Sequence, residues 1–256
     1  MIKYVLAIAV LALTIPVFAS TNDDPEKELV LAFKKINEYH ERQKSQQESH
    51  MGDSLAKANE DFQKMLVRHA RNPLTLAADL DELKKLGVRI ATSDDGFFRI
   101  YSWNTELGGS MRMFRNVYQY KSGGKVYSRA VSDARAAEGS WYSEIYSHKT
   151  SGKTYYLSIG HSILSGKDNR QEIRAFNISG NALNDAKLIK TKEGPTNRLR
   201  ILFDFFSVYK RPERPLKLIT YDKATQEITL PLVDAKYQVT EKTITYKFDG
   251  SHFVRK

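Results

Sequence analysis

The stretch Ser93-Asp94-Asp95-Gly96-Phe97-Phe98-Arg99-Ile100-Tyr101-Ser102-Trp103-Asn104-Thr105 decides the fold. Asp95-Gly96 is a turn, with Gly96 free to take positive φ. The run after it alternates with period two. Phe98, Ile100 and Ser102 fall on one face, and Phe97, Arg99, Tyr101 and Trp103 on the other. This is a strand entered from a tight turn, and the same phrase of strand and turn continues to the end of the chain.

Downstream, Gly108-Gly109 leads to a run over Met111 to Tyr120, and Ser122-Gly123-Gly124 to one over Lys125 to Val131. A loop is expected over Ser132 to Ser140. Trp141 to His148 and Lys153 to Ser162 flank a turn at Thr150-Ser151-Gly152. Further strands are expected over Glu172 to Ile178, Ala182 to Ile189, Arg198 to Phe206, Leu216 to Tyr221, Glu227 to Val233, Thr243 to Phe248 and His252 to Arg255. Asp249-Gly250 joins the last two as a hairpin. About a dozen short strands with no helices between them argue for a mainly antiparallel meander, as a sandwich, a barrel or propeller-like sheets.

Upstream of Gly87 the period is helical. Asp23 and Glu26 have capping-box spacing, and Pro25 suits a first helical turn. Leu29, Phe33 and Ile36 share a face, as do Leu55, Phe62, Met65, Leu66 and His69. The polar run Glu41 to Ser49 separates the two, with a break expected at Gly52-Asp53-Ser54. Asn72-Pro73 ends the second helix, and Leu76, Leu80 and Leu83 mark a third that stops at Gly87. The stripes are narrow and no heptad pattern persists, so these helices read as a brace on the sheet rather than a coiled-coil arm. The fold class is therefore α+β, with N-terminal helices packed on the β meander.

Residues 1–19 read as a secretory signal. Lys3 supplies a positive start, Tyr4 to Thr14 a short apolar run, and Val17-Phe18-Ala19 a small-residue site for cleavage after Ala19. About ten apolar residues fall short of the ~20 a spanning helix needs. The expected organisation is a signal peptide over 1–19, a helical segment over 20–87 and a β-rich domain over 88–256, periplasmic or secreted, with no membrane span after cleavage.

The phrase from Ser93 to Thr105, followed by Gly108-Gly109, resembles one in uncharacterised exported β-rich bacterial proteins. The resemblance covers roughly Thr92 to Tyr120. It implies a fold type and carries no activity or functional residue.

The 256 residues include no cysteine, which excludes disulfides, thiolate metal sites and cysteine nucleophiles. The six histidines form no ligand pair, and there is no G-x-S-x-G elbow, Walker loop or dinucleotide fingerprint. No cofactor or metal site is expected. Asp204, on a strand face with Arg200, reads as an ion-pair partner of Arg200 or another arginine, with a general acid as the alternative.

The net charge of +10 is uneven. Residues 20–86 carry −2 and residues 87–256 carry +11, concentrated over Phe97 to Arg129 and Lys187 to Lys217. Such a body attracts anions. The expectation is a non-enzymatic binding or interaction protein of the bacterial envelope, engaging an anionic envelope polymer or an acidic protein, and not nucleic acid. The candidate binding residues are Arg99, Tyr101, Trp103, Arg112, Arg115, Arg198 and Arg200. The alternatives are an envelope hydrolase using Asp204 or His161, and an immunity or inhibitor protein that neutralises a toxin.

Overall fold

The computed structural model describes residues 24–46, 51–131, 139–150 and 152–256. The expected signal and most of the loop expected over Ser132 to Ser140 lie outside these residues. Two long helices, α1 (Pro25–Gln46) and α2 (Met51–His69), precede two short ones, α3 (Pro73–Ala77) and α4 (Asp81–Lys85). Fifteen strands follow in three sheets among the described residues. The first holds β1 (Arg89–Thr92), β2 (Phe98–Asn104), β3 (Phe114–Ser122) and β4 (Lys125–Ala130), in that order. The second holds β5 (Trp141–Thr150), β6 (Lys153–Ile163), β7 (Asp168–Ser179) and β11 (Arg198–Asp204), ordered β11-β7-β6-β5, with β8 (Ala182–Asp185) also on β7.

The third sheet runs β10-β9-β15-β14-β13-β12. Its members are β9 (Ile189–Thr191), β10 (Gly194–Thr196), β12 (Thr220–Asp222), β13 (Glu227–Val233), β14 (Val239–Phe248) and β15 (Phe253–Arg255). Pairing is antiparallel except between β15 and β9. Among the described residues no sheet closes into a barrel, and the α+β class holds.

Three cores fix the layer order. The helices bury Leu29, Phe33, Ile36, Leu55, Phe62 and Leu66 against Tyr101, Trp103 and Val117 on the first sheet. The opposite face of that sheet puts Phe98, Ile100 and Tyr118 against Tyr142, Tyr156 and Phe176 of the second. The far side of the second sheet packs Leu157, Ile173, Leu199 and Phe203 against Ile228, Leu230 and Phe253 of the third. The result is a stack of helices on three sheets, and β2 is buried on both faces.

The turn before β2 forms as its residues dictate. Gly96 takes φ +72°, and the Asp95 carboxylate accepts from the Ser93 hydroxyl, the Phe97 N–H and the Tyr156 hydroxyl. At the other end of the helical layer, Phe33, Phe62 and Trp103 form an edge-to-face chain with centroids 5.0 Å apart at each step. Asn59 sits fully buried beside them. Its carbonyl oxygen accepts from the Trp103 indole, and its amide donates to the Leu55 and Thr105 carbonyls. The helices are therefore keyed to β2 by a satisfied polar contact as well as by apolar area.

Several boundaries differ from the sequence reading. The first helix is capped by Asp24, which accepts from the Glu26 N–H; Asp23 lies outside the described residues. The Glu26 carboxylate instead accepts from the Glu82 and Leu83 N–H groups, capping α4, whose own Leu80 offers no side-chain oxygen. The expected third helix is thus two short ones. Gly52-Asp53-Ser54 lies in the first turn of α2, which starts at Met51, one residue ahead of the expected break. The run Ala182 to Ile189 splits into β8 and β9, and β10 is a further short strand at the edge of its sheet, where Pro195 is tolerated. The last two residues of the run Arg198 to Phe206 begin a 3₁₀ turn (Phe205–Ser207). Among the described residues, no helix is long and apolar enough to cross a membrane.

Candidate functional site

A cavity of about 570 Å³ opens at one end of the second sheet. Four strands contribute there: β5 gives Trp141 at its start, β6 gives His161, Ser162 and Ile163 at its end, β7 gives Asn169 and Arg170 next to its first residue Asp168, and β11 gives Phe203 next to its last residue Asp204. The loop between β2 and β3 adds Ser110 and Arg112, and the segment after β11 adds Phe205, Arg214, Pro215 and Leu216. The volume is that of a small-ligand site. Three guanidiniums line it together with apolar and aromatic walls, and no carboxylate does so among the described residues.

Each arginine is held differently. The Arg112 side chain is half-exposed and reaches Glu106 Oε2 at 3.4 Å, while its backbone N–H donates to the Ile163 carbonyl at 2.9 Å. Arg170 donates to the Ser162 hydroxyl at 2.9 Å. Arg214 is exposed and spends three donors on the Arg211, Glu213 and Tyr209 carbonyls, at 2.7 to 2.9 Å. A guanidinium has five N–H groups, so Arg214 can fix its own loop and still offer donors outward. The two basic stretches of the sequence meet at this cavity, Arg112 coming from the first and Arg214 from the second.

The loop carrying Arg112 depends on Gly108. A Cβ there would fall 2.2 Å from the Met111 carbonyl oxygen, so the backbone must shift to admit one. Gly108→Ala is expected to cost about 1–3 kcal/mol in urea unfolding, the usual penalty of overpacking, and to displace Arg112. Unchanged stability would show that the loop is more compliant than its close contact implies.

The cavity wall also contains a stack of rings. Arg89 lies 3.9 Å over the Trp141 ring, and His161 stacks on Trp141 at 4.2 Å and 14°. Trp141 is thereby held by both an imidazole and a guanidinium. His161 is buried, and burial lowers its pKa from 6.5 to about 4; the Arg89 charge adds to this, against a weaker opposing pull from Glu144. The imidazole is neutral at physiological pH.

His161 Nε2 lies 2.8 Å from the Ser143 hydroxyl, which a bulge between Tyr142 and Glu144 aims at it. The spacing resembles a base and a nucleophile, but Gln171 settles the proton. Gln171 Oε1 accepts from the Ile219 N–H, and its amide nitrogen donates to the Leu216 carbonyl at 2.7 Å. A peptide N–H only donates and a carbonyl only accepts, so the amide orientation is fixed. Its second hydrogen then points to His161 Nδ1 at 3.1 Å. Nδ1 is the acceptor, Nε2 carries the proton, and His161 donates to Ser143. A general base would need its lone pair on Nε2. Ser162 lies on the opposite face of β6, bound to Arg170 and 2.9 Å from the Ser140 hydroxyl.

The residues singled out from sequence scatter. Arg99, Tyr101 and Trp103 are buried under the helices, so they form no binding surface. Arg99 donates to the Thr75 and Ala78 carbonyls at 2.7 Å, and the Tyr101 hydroxyl donates to Gln119. The helical stripes needed an apolar partner, and this face of β2 is that partner. Arg115 is half-buried and donates to Gln63 of α2 at 3.2 Å. Arg198 lies against Asn197, and Arg200 pairs with Glu172 at 3.5 Å. Of the seven, Arg112 alone lines the cavity.

Asp204 has a lysine beside it. It lies 3.6 Å from the Lys167 ammonium, caps the 3₁₀ turn through the Phe206 N–H and accepts from Gln238. Burial opposes its ionisation, yet these donors outweigh it and hold the carboxyl below its usual pKa, the reverse of what a general acid needs. Among the described residues, no three His, Cys, Asp or Glu are arranged to hold a metal ion. Arg170 and Arg214 escaped the sequence reading because the cavity is assembled from segments far apart in the chain. The one local signal was Arg211-Pro212-Glu213-Arg214-Pro215, a proline-stiffened basic loop between two strands.

No known protein family, curated protein or solved structure matches this chain.

Proposed function

We propose that the chain is an exported, non-enzymatic binding protein whose cavity at the end of the second sheet takes an anionic ligand carrying an apolar portion. One observation carries the reading: Arg112, Arg170 and Arg214 arrive from three separate elements beside Phe203, Phe205 and Leu216, with no carboxylate among the described lining residues. Arginine suits planar, multidentate contacts to carboxylate or phosphate. A low-dielectric wall strengthens those contacts. The protonation of His161 on Nε2 removes the nearest candidate base and supports binding over hydrolysis.

The test is calorimetric titration with hexyl phosphate, inorganic phosphate and hexanol. Hexyl phosphate is expected to bind best, because it alone uses both halves of the lining. Its affinity should fall as salt rises. Arg112→Gln should weaken it about tenfold, the worth of one charge-assisted hydrogen bond. Equal binding of hexyl phosphate and hexanol, unaffected by Arg112→Gln, would refute the assignment.

A further inference from the structure

We propose that the ligand is an anionic lipid met at a membrane surface, with the cavity mouth resting on the bilayer; this rests on the cavity reading above. The segment after β11 that forms one cavity wall also faces solvent, where it leaves Phe206 61% and Tyr209 52% exposed. Lys210, Arg211 and Arg214 follow them in the same segment and are exposed too. The hairpin turn between β13 and β14 is held against this segment. The Asp204 N–H donates to the Tyr237 carbonyl, the Val239 N–H to the Ser207 hydroxyl, and Gln238 to the Asp204 carboxylate. That turn adds Tyr237, 49% exposed, and the exposed Lys236. Of the large apolar side chains left exposed among the described residues, Leu202, Phe206, Tyr209, Leu232 and Tyr237 lie in or beside these two segments.

Aromatic rings beside lysine and arginine suit the boundary between head groups and acyl chains. The rings enter the apolar boundary while the cations meet anionic head groups. The same pairing of chemistries recurs inside the cavity, where arginines suit a phosphate and Phe203, Phe205 and Leu216 suit the start of an acyl chain. The ligand class and the approach surface thus agree, and Phe205 and Phe206 are consecutive residues facing the cavity and the solvent.

The experiment is co-sedimentation with vesicles of phosphatidylcholine alone and of phosphatidylcholine mixed with phosphatidylglycerol, alongside hexyl phosphate titration. The wild type should sediment with the mixed vesicles only. The exposed pair Phe206→Ser with Tyr209→Ser should lower vesicle affinity at least about tenfold, from lost apolar burial, and leave hexyl phosphate binding unchanged. Arg112→Gln should weaken both. Hexyl phosphate binding without sedimentation on either vesicle would overturn the lipid assignment, leaving a soluble anion or an acidic protein as the partner and the cavity reading intact. Sedimentation insensitive to the Phe206 and Tyr209 exchanges would likewise overturn it. Failure of both assays would remove the cavity reading itself.

Discussion

A chain cut to residues 88–256 is expected not to fold, although it contains every strand of the described residues. Removing the helices would bare Tyr101, Trp103 and Val117, all fully buried. Each large apolar side chain so exposed costs about 1.5–3 kcal/mol. The cut also strips Arg99 of the Thr75 and Ala78 carbonyls and leaves the Trp103 indole without Asn59. A charged donor and a ring N–H would lose their partners beside newly wet rings. Typical domain stability is only about 5–15 kcal/mol, so these losses consume most or all of it. Circular dichroism should show no cooperative thermal transition for the truncated chain. A sharp transition near that of the whole protein would mean that the helices dock on a body stable without them.

Acidification is expected to destabilise the protein before most carboxylates titrate, because of His161. Its pKa is 6.5 when unfolded and about 4 when folded. Below 6.5 the unfolded chain binds a proton that the folded chain refuses, so stability falls as pH drops. The contribution is complete above about 6.5 and gone below about 4. Its size is about 3 kcal/mol. Burial lowers the pKa of His148 as well, with Phe248 and Phe253 packed against its ring, so it acts in the same direction. Urea midpoints between pH 7 and 4.5 should fall steeply for the wild type. His161→Gln should flatten much of that slope, even if it lowers stability at pH 7. An identical slope in the variant would show that His161 takes up its proton without cost in the folded state.

Local chemistry was the legible part of the sequence. The alternation from Phe98 to Trp103 fixed which residues share a face, and the Asp-Gly and Gly-Gly pairs placed most turns. What alternation cannot state is what lies beyond each face. Arg99, Tyr101 and Trp103 read as a surface while β2 stands alone, whereas Leu29, Phe33 and Phe62 of the helices need that face. Sheet order was also hidden, since the contact between Ser93 and Ile145 that brings β1 beside β5 joins residues 52 positions apart. The cavity was least legible. Arg112, Arg170 and Arg214 belong to different elements and converge only once three sheets are stacked. Gln171, which fixes the His161 proton, carried no signal, because its role lies in the two backbone groups it meets.

The most direct test is the crystal structure of the protein grown with hexyl phosphate. The phosphate should lie within hydrogen-bond distance of Arg112, Arg170 and Arg214, with the alkyl chain against Phe203, Phe205 and Leu216. A cavity left empty while the compound binds elsewhere, or a phosphate seated away from those three arginines, would contradict the account.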